Sequence, residues 1–156
     1  MSGKLKSLDE LQAITAKARS DGKKVVLTNG CFDLLHRGHL HLLREAKACG
    51  ELLIVAVNSD KSVREIKGPH RPILPEADRA ELLAALEMVD YVVLFDEPDP
   101  YRLIAALKPH VLAKGGDWKP ESIIGSDIVI RNGGKVAVIP YLKGFSTTEI
   151  IERIQG

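Results

Sequence analysis

Apolar runs alternate with amphipathic stretches along the whole chain. Leu52-Leu53-Ile54-Val55-Ala56-Val57 and Tyr91-Val92-Val93-Leu94-Phe95 are continuous rather than alternating. Strands of that kind are buried on both faces, the mark of a parallel sheet covered by helices. Leu8, Leu11, Ile14 and Ala18 recur at helical spacing, Ser7 and Glu10 form a capping box in front of them, and Asp21-Gly22 ends the run. The pattern predicts helix 7–20, strand 24–29, helix 38–48, strand 51–57, helix 60–66, a loop, helix 75–87, strand 90–95, helix 99–107 and strand 111–115. A short helix or turn follows over 120–131, then strand 135–140 and helix 146–155. Such alternation predicts an α/β fold: a doubly wound, mostly parallel five-stranded sheet with helices on both faces. One domain accounts for the 156 residues, with 1–22 as an N-terminal helical segment and 23–156 as the core.

Ligands of doubly wound sheets bind beyond the carboxyl ends of the strands, where strand order reverses. That places four loops in view: Thr28 to His39, Asn58-Ser59-Asp60, Lys114-Gly115-Gly116-Asp117-Trp118, and Gly144-Phe145-Ser146-Thr147-Thr148. All four are rich in polar residues, and three of them contain glycine.

The first loop carries the strongest signal. In Asn29-Gly30-Cys31-Phe32-Asp33-Leu34-Leu35-His36-Arg37-Gly38-His39, two histidines three positions apart stand where a strand becomes a helix. Residues i and i+3 share a helix face, and free N–H groups and a positive dipole gather at a helix start, so the pattern points to phosphate binding. Zinc is the rival use, but a third ligand at sensible spacing is missing. Gly38 is expected to clear space for a nucleotide. Asp33 can hold Mg²⁺, orient a histidine or cap the turn; no other side chain is expected to bind metal. Cys31 reads as a small apolar residue, because nothing beside it resembles an activating group.

Elsewhere, Lys114 can neutralise phosphate, Gly116 lets backbone approach a ligand, and Asp117 can bind a ribose or substrate hydroxyl. Ser146 and Thr147 open a helix and can cap it or cradle a phosphate. Lys67-Gly68-Pro69-His70-Arg71-Pro72 reads as a polar loop that can act as a mobile flap bringing Lys67 and Arg71 onto phosphates. Arg79 is either a phosphate ligand or a surface ion pair with Glu76 or Glu81.

Composition narrows the choices. Hydrophobic residues make up 45% and charged residues 28%, with a net charge of +1. Such balance argues against a nucleic-acid partner and against an anionic membrane surface. The longest apolar run is too short to span a bilayer, and the first residues lack the apolar core of a signal peptide, so a cytoplasmic location is expected. Cys31 and Cys49 have no metal or redox spacing.

The stretch Gly30 to His39 resembles the His-x-Gly-His signature of the cytidylyltransferase-like nucleotidyltransferases. The resemblance extends through Asn58-Ser59-Asp60, Lys67-Gly68, Arg71-Pro72, Arg79, Lys114 to Trp118 and Gly144 to Thr148, covering roughly residues 24–155. It implies catalytic roles for His36, His39 and Lys67. It implies nucleotide contacts from Asn29, Gly30, Cys31, Phe32, Asp33, Gly38, Arg79, Lys114, Gly116, Asp117, Gly144, Ser146 and Thr147, and substrate contacts from Asn58, Asp60, Arg71 and Trp118. Within the family the chain is most similar to the adenylyltransferases of bacterial heptose activation, in a form without the sugar kinase domain. That implies ATP, Mg²⁺ and a sugar 1-phosphate, D-glycero-β-D-manno-heptose 1-phosphate, as reactants, and a homodimer as the assembly. The main rival is a glycerol-3-phosphate cytidylyltransferase using CTP, whose Arg-Thr-x-Gly-Ile-Ser-Thr-Thr pattern reads Tyr141-Leu142-Lys143-Gly144-Phe145-Ser146-Thr147-Thr148 here. A nucleotide-binding module without catalysis is the alternative from another class.

Overall fold

A computed structural model describes residues 3–156. Helix α1 (Leu8–Ser20) begins with the expected capping box: Glu10 N–H donates to Ser7 Oγ, and Ser7 N–H donates to Glu10 Oε1, both at 3.1 Å. Strand β1 (Val25–Gly30), helix α2 (Arg37–Lys47), strand β2 (Leu52–Asn58) and helix α3 (Asp60–Lys67) follow. Then come α4 (Glu76–Ala84), β3 (Tyr91–Phe95), α5 (Tyr101–Leu107) and β4 (Val111–Gly115). A 3-10 turn (Pro120–Ser122), α6 (Ser126–Arg131), β5 (Lys135–Ile139) and α7 (Thr147–Gln155) complete the chain.

All five strands are parallel, in the order β3-β2-β1-β4-β5. Consecutive residues of each central strand enter opposite cores, which is why those strands read as unbroken apolar runs. Val25, Leu27, Ile54, Ala56 and Leu112 pack with Leu11 of α1, Leu103 and Ile104 of α5 and Val129 of α6. Val26, Leu53, Val55, Val57 and Ala113 pack with Leu43 of α2 and Leu83 of α4 on the other face. The chain runs outward from β1 to β3, then returns to the other side of β1. The order therefore reverses between β1 and β4, and the loops after these two strands flank one crevice.

Two helices differ from the periodicity. α4 stops at Ala84 although apolar positions continue, because Leu86 and Met88 reach the core from a turn closed by Leu86 N–H on Leu83 O. The 120–131 segment divides at Gly125, which has φ +89° and packs so tightly that an added Cβ would lie 2.5 Å from Ile104 Cδ1.

Arg79 on α4 is the largest wholly buried side chain. Its Nε donates to Leu74 O (2.9 Å), its Nη1 to Cys31 O and Asn58 O (both 2.7 Å) and its Nη2 to Asp60 Oδ1 (2.9 Å). One guanidinium thus joins the ends of β1 and β2 to the segment before α4, a task suited to its planar fork of donors. The expected nucleotide contact of Arg79 is corrected accordingly, since the whole side chain is buried, whereas Asp60 gives it one carboxylate oxygen and stays partly exposed. Arg79 faces protein acceptors, and Asp60 faces Arg79.

Arg79→Ala should lower the unfolding free energy in urea by about 3 kcal/mol or more, since each buried carbonyl left without a donor costs about 1–3 kcal/mol. Arg79→Lys should not rescue it, because one ammonium cannot reach all four acceptors. A loss under about 1 kcal/mol, typical of an ordinary position, would contradict the bracing role.

Candidate active site

Beyond the carboxyl ends of β1 and β4 lies a cavity of about 790 Å³. Residues from all four expected loops line it, among them Asn29, Gly30, Cys31, Phe32, Asp33, Asn58, Lys114, Trp118, Gly144, Ser146 and Thr147. His36, Gly38 and His39 line it as well, as do Lys67 and Arg71.

The two histidines form the start of α2. His36 is the N-cap, and its Nδ1 accepts from Gly38 N–H at 3.0 Å. In return, His36 N–H donates to Nδ1 of His39 at 3.3 Å. The pair is a capping box built from imidazoles instead of a hydroxyl and a carboxylate. A nitrogen that accepts from an N–H carries no proton, so each neutral ring holds its proton on Nε2. Burial draws the His39 pKa down to about 4, with the charge of His36 adding to the effect. Burial also lowers His36, while Glu149 opposes the shift. The rings stack with centroids 3.8 Å apart, an arrangement that suits two neutral imidazoles and would set two imidazolium charges against each other. At neutral pH the site therefore holds two Nε2–H donors in fixed tautomers.

Gly38 serves this arrangement. A Cβ there would lie 2.8 Å from His36 Cε1, 2.9 Å from its Nδ1 and 3.2 Å from Phe145 Cβ. The space expected for a nucleotide is thus occupied by the His36 ring and Phe145. Phe32 adopts φ +49° and places its ring 5.2 Å from that of His39. Gly30 accommodates it, since a Cβ would meet Phe32 Cε2 at 3.0 Å.

The start of α7 closes on the same loop. Ser146 Oγ accepts from Glu149 N–H at 3.0 Å, and Thr147 Oγ1 donates to Leu34 O at 3.3 Å. The Arg37 guanidinium lies 5.7 Å from the Phe145 ring centre. Beyond β4, Trp118 Nε1–H donates to Gly115 O at 3.1 Å, and Lys114 Nζ lies 5.8 Å from the Trp118 ring centre. Burial draws the Lys114 ammonium below its usual range; Cys31 opposes this and the charge of Lys67 adds to it. Cations gathered in one cavity favour an anionic occupant.

Other expected residues take different places. Gly116 and Asp117 lie outside the cavity wall. Gly116, at φ +119°, makes room for Tyr141, whose Cε2, Cζ and Oη would each lie 2.9 Å from an added Cβ. Asn58 reaches the cavity, but its Nδ2 donates to Ser62 Oγ at 3.0 Å. Burial raises the Cys31 thiol against the opposing charges of Lys67, Arg79 and Arg71, which keeps it protonated and unreactive. Asp33 does not suit a metal ligand, since both its oxygens accept from protein donors. Among the described residues, no group of three or more His, Cys, Asp or Glu side chains is placed to hold a metal ion. His41, Ile123, Ile124 and Tyr141 line the cavity without having been singled out as contacts from sequence. Their only signal was proximity to the loops; Tyr141 stood out there as a departure from a family pattern.

The family model for cytidylyltransferase-like proteins matches residues 27–153, and the chain belongs to that family of nucleotidyltransferases. "Bifunctional protein HldE" of Geobacter metallireducens is 52% identical over 151 residues, covering 97% of this chain and 31% of that protein. The protein of the same name from Wolinella succinogenes is 52% identical over 150 residues, with 96% and 31% covered. The chain thus spans about a third of the length of these relatives. The crystal structure of a lipopolysaccharide core biosynthesis protein from Thermoplasma volcanium is 30% identical and superposes with a TM-score of 0.62, covering 80% of this chain and all of that one. The pantoate-beta-alanine ligase of Francisella tularensis, 16% identical with a TM-score of 0.58 over 97% of this chain and 76% of that one, shares the fold.

Gly38→Ala should displace the His36 ring and weaken the cap. The expected loss is about 1–3 kcal/mol of stability in a denaturant titration. Unchanged stability would mean that the imidazole cap does not hold α2.

Proposed function

We propose that the protein transfers AMP from ATP to D-glycero-β-D-manno-heptose 1-phosphate, releasing pyrophosphate and giving ADP-heptose for lipopolysaccharide core synthesis. The observation that carries the chemistry is the pair of neutral Nε2–H donors at the start of α2, in a cavity that also holds Lys67 and Lys114. The heptose assignment draws support from the HldE relatives and from the similarity to a lipopolysaccharide core biosynthesis protein.

An oxygen of the sugar phosphate attacks the α-phosphorus of ATP, and the bond to the β-phosphate oxygen breaks. The nucleophile is already anionic, so the reaction needs positioning and charge stabilisation rather than a strong base. His36 and His39 donate to phosphate oxygens as charge builds on the departing pyrophosphate. The dipole of α2 adds to them. Lys67 and Lys114 neutralise phosphate charge, and the Ser146 hydroxyl at the start of α7 can donate to a phosphate while its oxygen caps the helix. Mg²⁺ enters as part of the ATP substrate, with phosphate oxygens as ligands. A homodimer and a cytoplasmic location belong to the same reading. Among the described residues, no helix is long and apolar enough to cross a membrane.

Pyrophosphate release tests this with ATP and CTP, each paired with heptose 1-phosphate and glycerol 3-phosphate. Turnover is expected with ATP and heptose 1-phosphate. Turnover with CTP and glycerol 3-phosphate would refute the assignment, and ATP binding without any turnover would favour a binding module. His39→Asn keeps an acceptor near the place of Nδ1 but has no Nε2–H. It should lower kcat by about a hundred- to a thousand-fold with ATP affinity little changed. A rate within about threefold of the parent would exclude the histidine role.

A further inference from the structure

Asp33 stands three residues before His36, with a side chain wholly removed from solvent. Its Oδ2 accepts from Arg71 Nε at 3.0 Å and from Ile73 N–H at 2.8 Å. Its Oδ1 accepts from Ile73 N–H and Leu74 N–H, both at 2.9 Å. Burial alone would raise this carboxyl. The Leu74 and Ile73 N–H groups and Arg71 outweigh burial and hold it below its usual range, so it is an anion at neutral pH. Arg79 grips Leu74 O from the other side. The segment expected to be a mobile flap is therefore pinned at its far end to the histidine loop.

The anchoring uses one edge of Arg71 and leaves another. Only Nε meets Asp33, and among the described residues neither terminal amino group of Arg71 has a hydrogen-bond partner. The arginine side chain is 16% exposed and lines the cavity beside Lys67. A guanidinium held through Nε keeps its paired amino groups free for a two-point contact with a phosphate.

The cavity has two unlike sides, with the histidines between them. The β4–β5 side carries Trp118 and Tyr141, together with Lys114, whose Nζ lies 5.8 Å from the Trp118 ring centre. Aromatic faces suit a nucleobase. The β2 side carries Lys67 and Arg71, which suit a second anion.

We infer that Asp33 is a positioning residue that aims the terminal amino groups of Arg71 at the phosphate of the acceptor substrate. The inference rests on the transferase reading above, and it concerns how the acceptor is held rather than how the bond is made. Asp33→Asn keeps the shape but removes the charge and turns one acceptor into a donor facing donors.

The test is calorimetric titration of heptose 1-phosphate, and separately of ATP, into the parent, Asp33→Asn, Arg71→Ala and the double variant. Each single variant should weaken heptose 1-phosphate binding by about tenfold to a hundredfold and leave ATP within about threefold. The double variant should bind no more weakly than Arg71→Ala, because Asp33 acts through Arg71. Arg71→Lys should not rescue, and it serves with Arg71→Ala should Asp33→Asn fail to fold. Acceptor affinity within about threefold of the parent in Arg71→Ala would overturn the inference. So would an Asp33→Asn protein that is less stable yet binds both ligands normally, or equal losses for acceptor and ATP. If the parent binds glycerol 3-phosphate instead, the heptose reading fails. The same selective losses with that acceptor would still support the inference, and their absence would overturn it.

Discussion

A helix that begins at a ligand site leaves backbone N–H groups without partners, and some acceptor must meet them. In α2 those acceptors are the Nδ1 atoms of His36 and His39. The same two bonds that cap the helix also decide which ring nitrogens bear protons. Capping and chemistry are therefore not separable in this loop. The cap requires deprotonated Nδ1, burial keeps the rings neutral, and the remaining proton on each ring stands ready for an anion. Gly38 has no freedom to be anything larger, because the His36 ring occupies the place of its missing side chain.

Around that cap the fold works by convergence. The reversal of strand order puts the ends of β1 and β4 side by side. The buried Arg79 guanidinium draws Cys31, Asn58, Asp60 and Leu74 to one point, and Asp33 ties the Arg71–Leu74 segment back to the histidine loop. Two charged groups that a cavity-facing reading would call ligands are instead the ties that keep the wall in shape. Lys67, Lys114 and the free edge of Arg71 face the cavity.

Much of this was legible in the residues. Unbroken apolar strands betrayed burial on both faces, and the glycine-rich loops marked the carboxyl edge of the sheet. Helix ends were less legible where apolar residues continue past the last helical turn, as at Leu86 and Met88. The role of Arg79 was hidden for a different reason. Its acceptors are mainly backbone carbonyls far away along the chain, and its sequence neighbours Glu76 and Glu81 suggested a surface pair. Asp33 was ambiguous because a carboxylate before a helix can cap, orient or bind metal. Only the placement of the Ile73 and Leu74 N–H groups decides among these. The part played by Gly38 depends on a ring two residues away folding back over it, which spacing alone does not reveal.

The most direct measurement is of the histidine tautomers, by two-bond ¹H–¹⁵N correlation NMR across a pH series. At pH 7 both His36 and His39 should carry a proton on Nε2 and none on Nδ1. Burial disfavours the charged form, so His39 should stay neutral as pH falls through the usual histidine range and take up its second proton only at about 4. A proton on Nδ1 of either ring at pH 7, or a His39 imidazolium forming near the ordinary histidine pKa, would contradict the imidazole cap and the phosphate chemistry built on it.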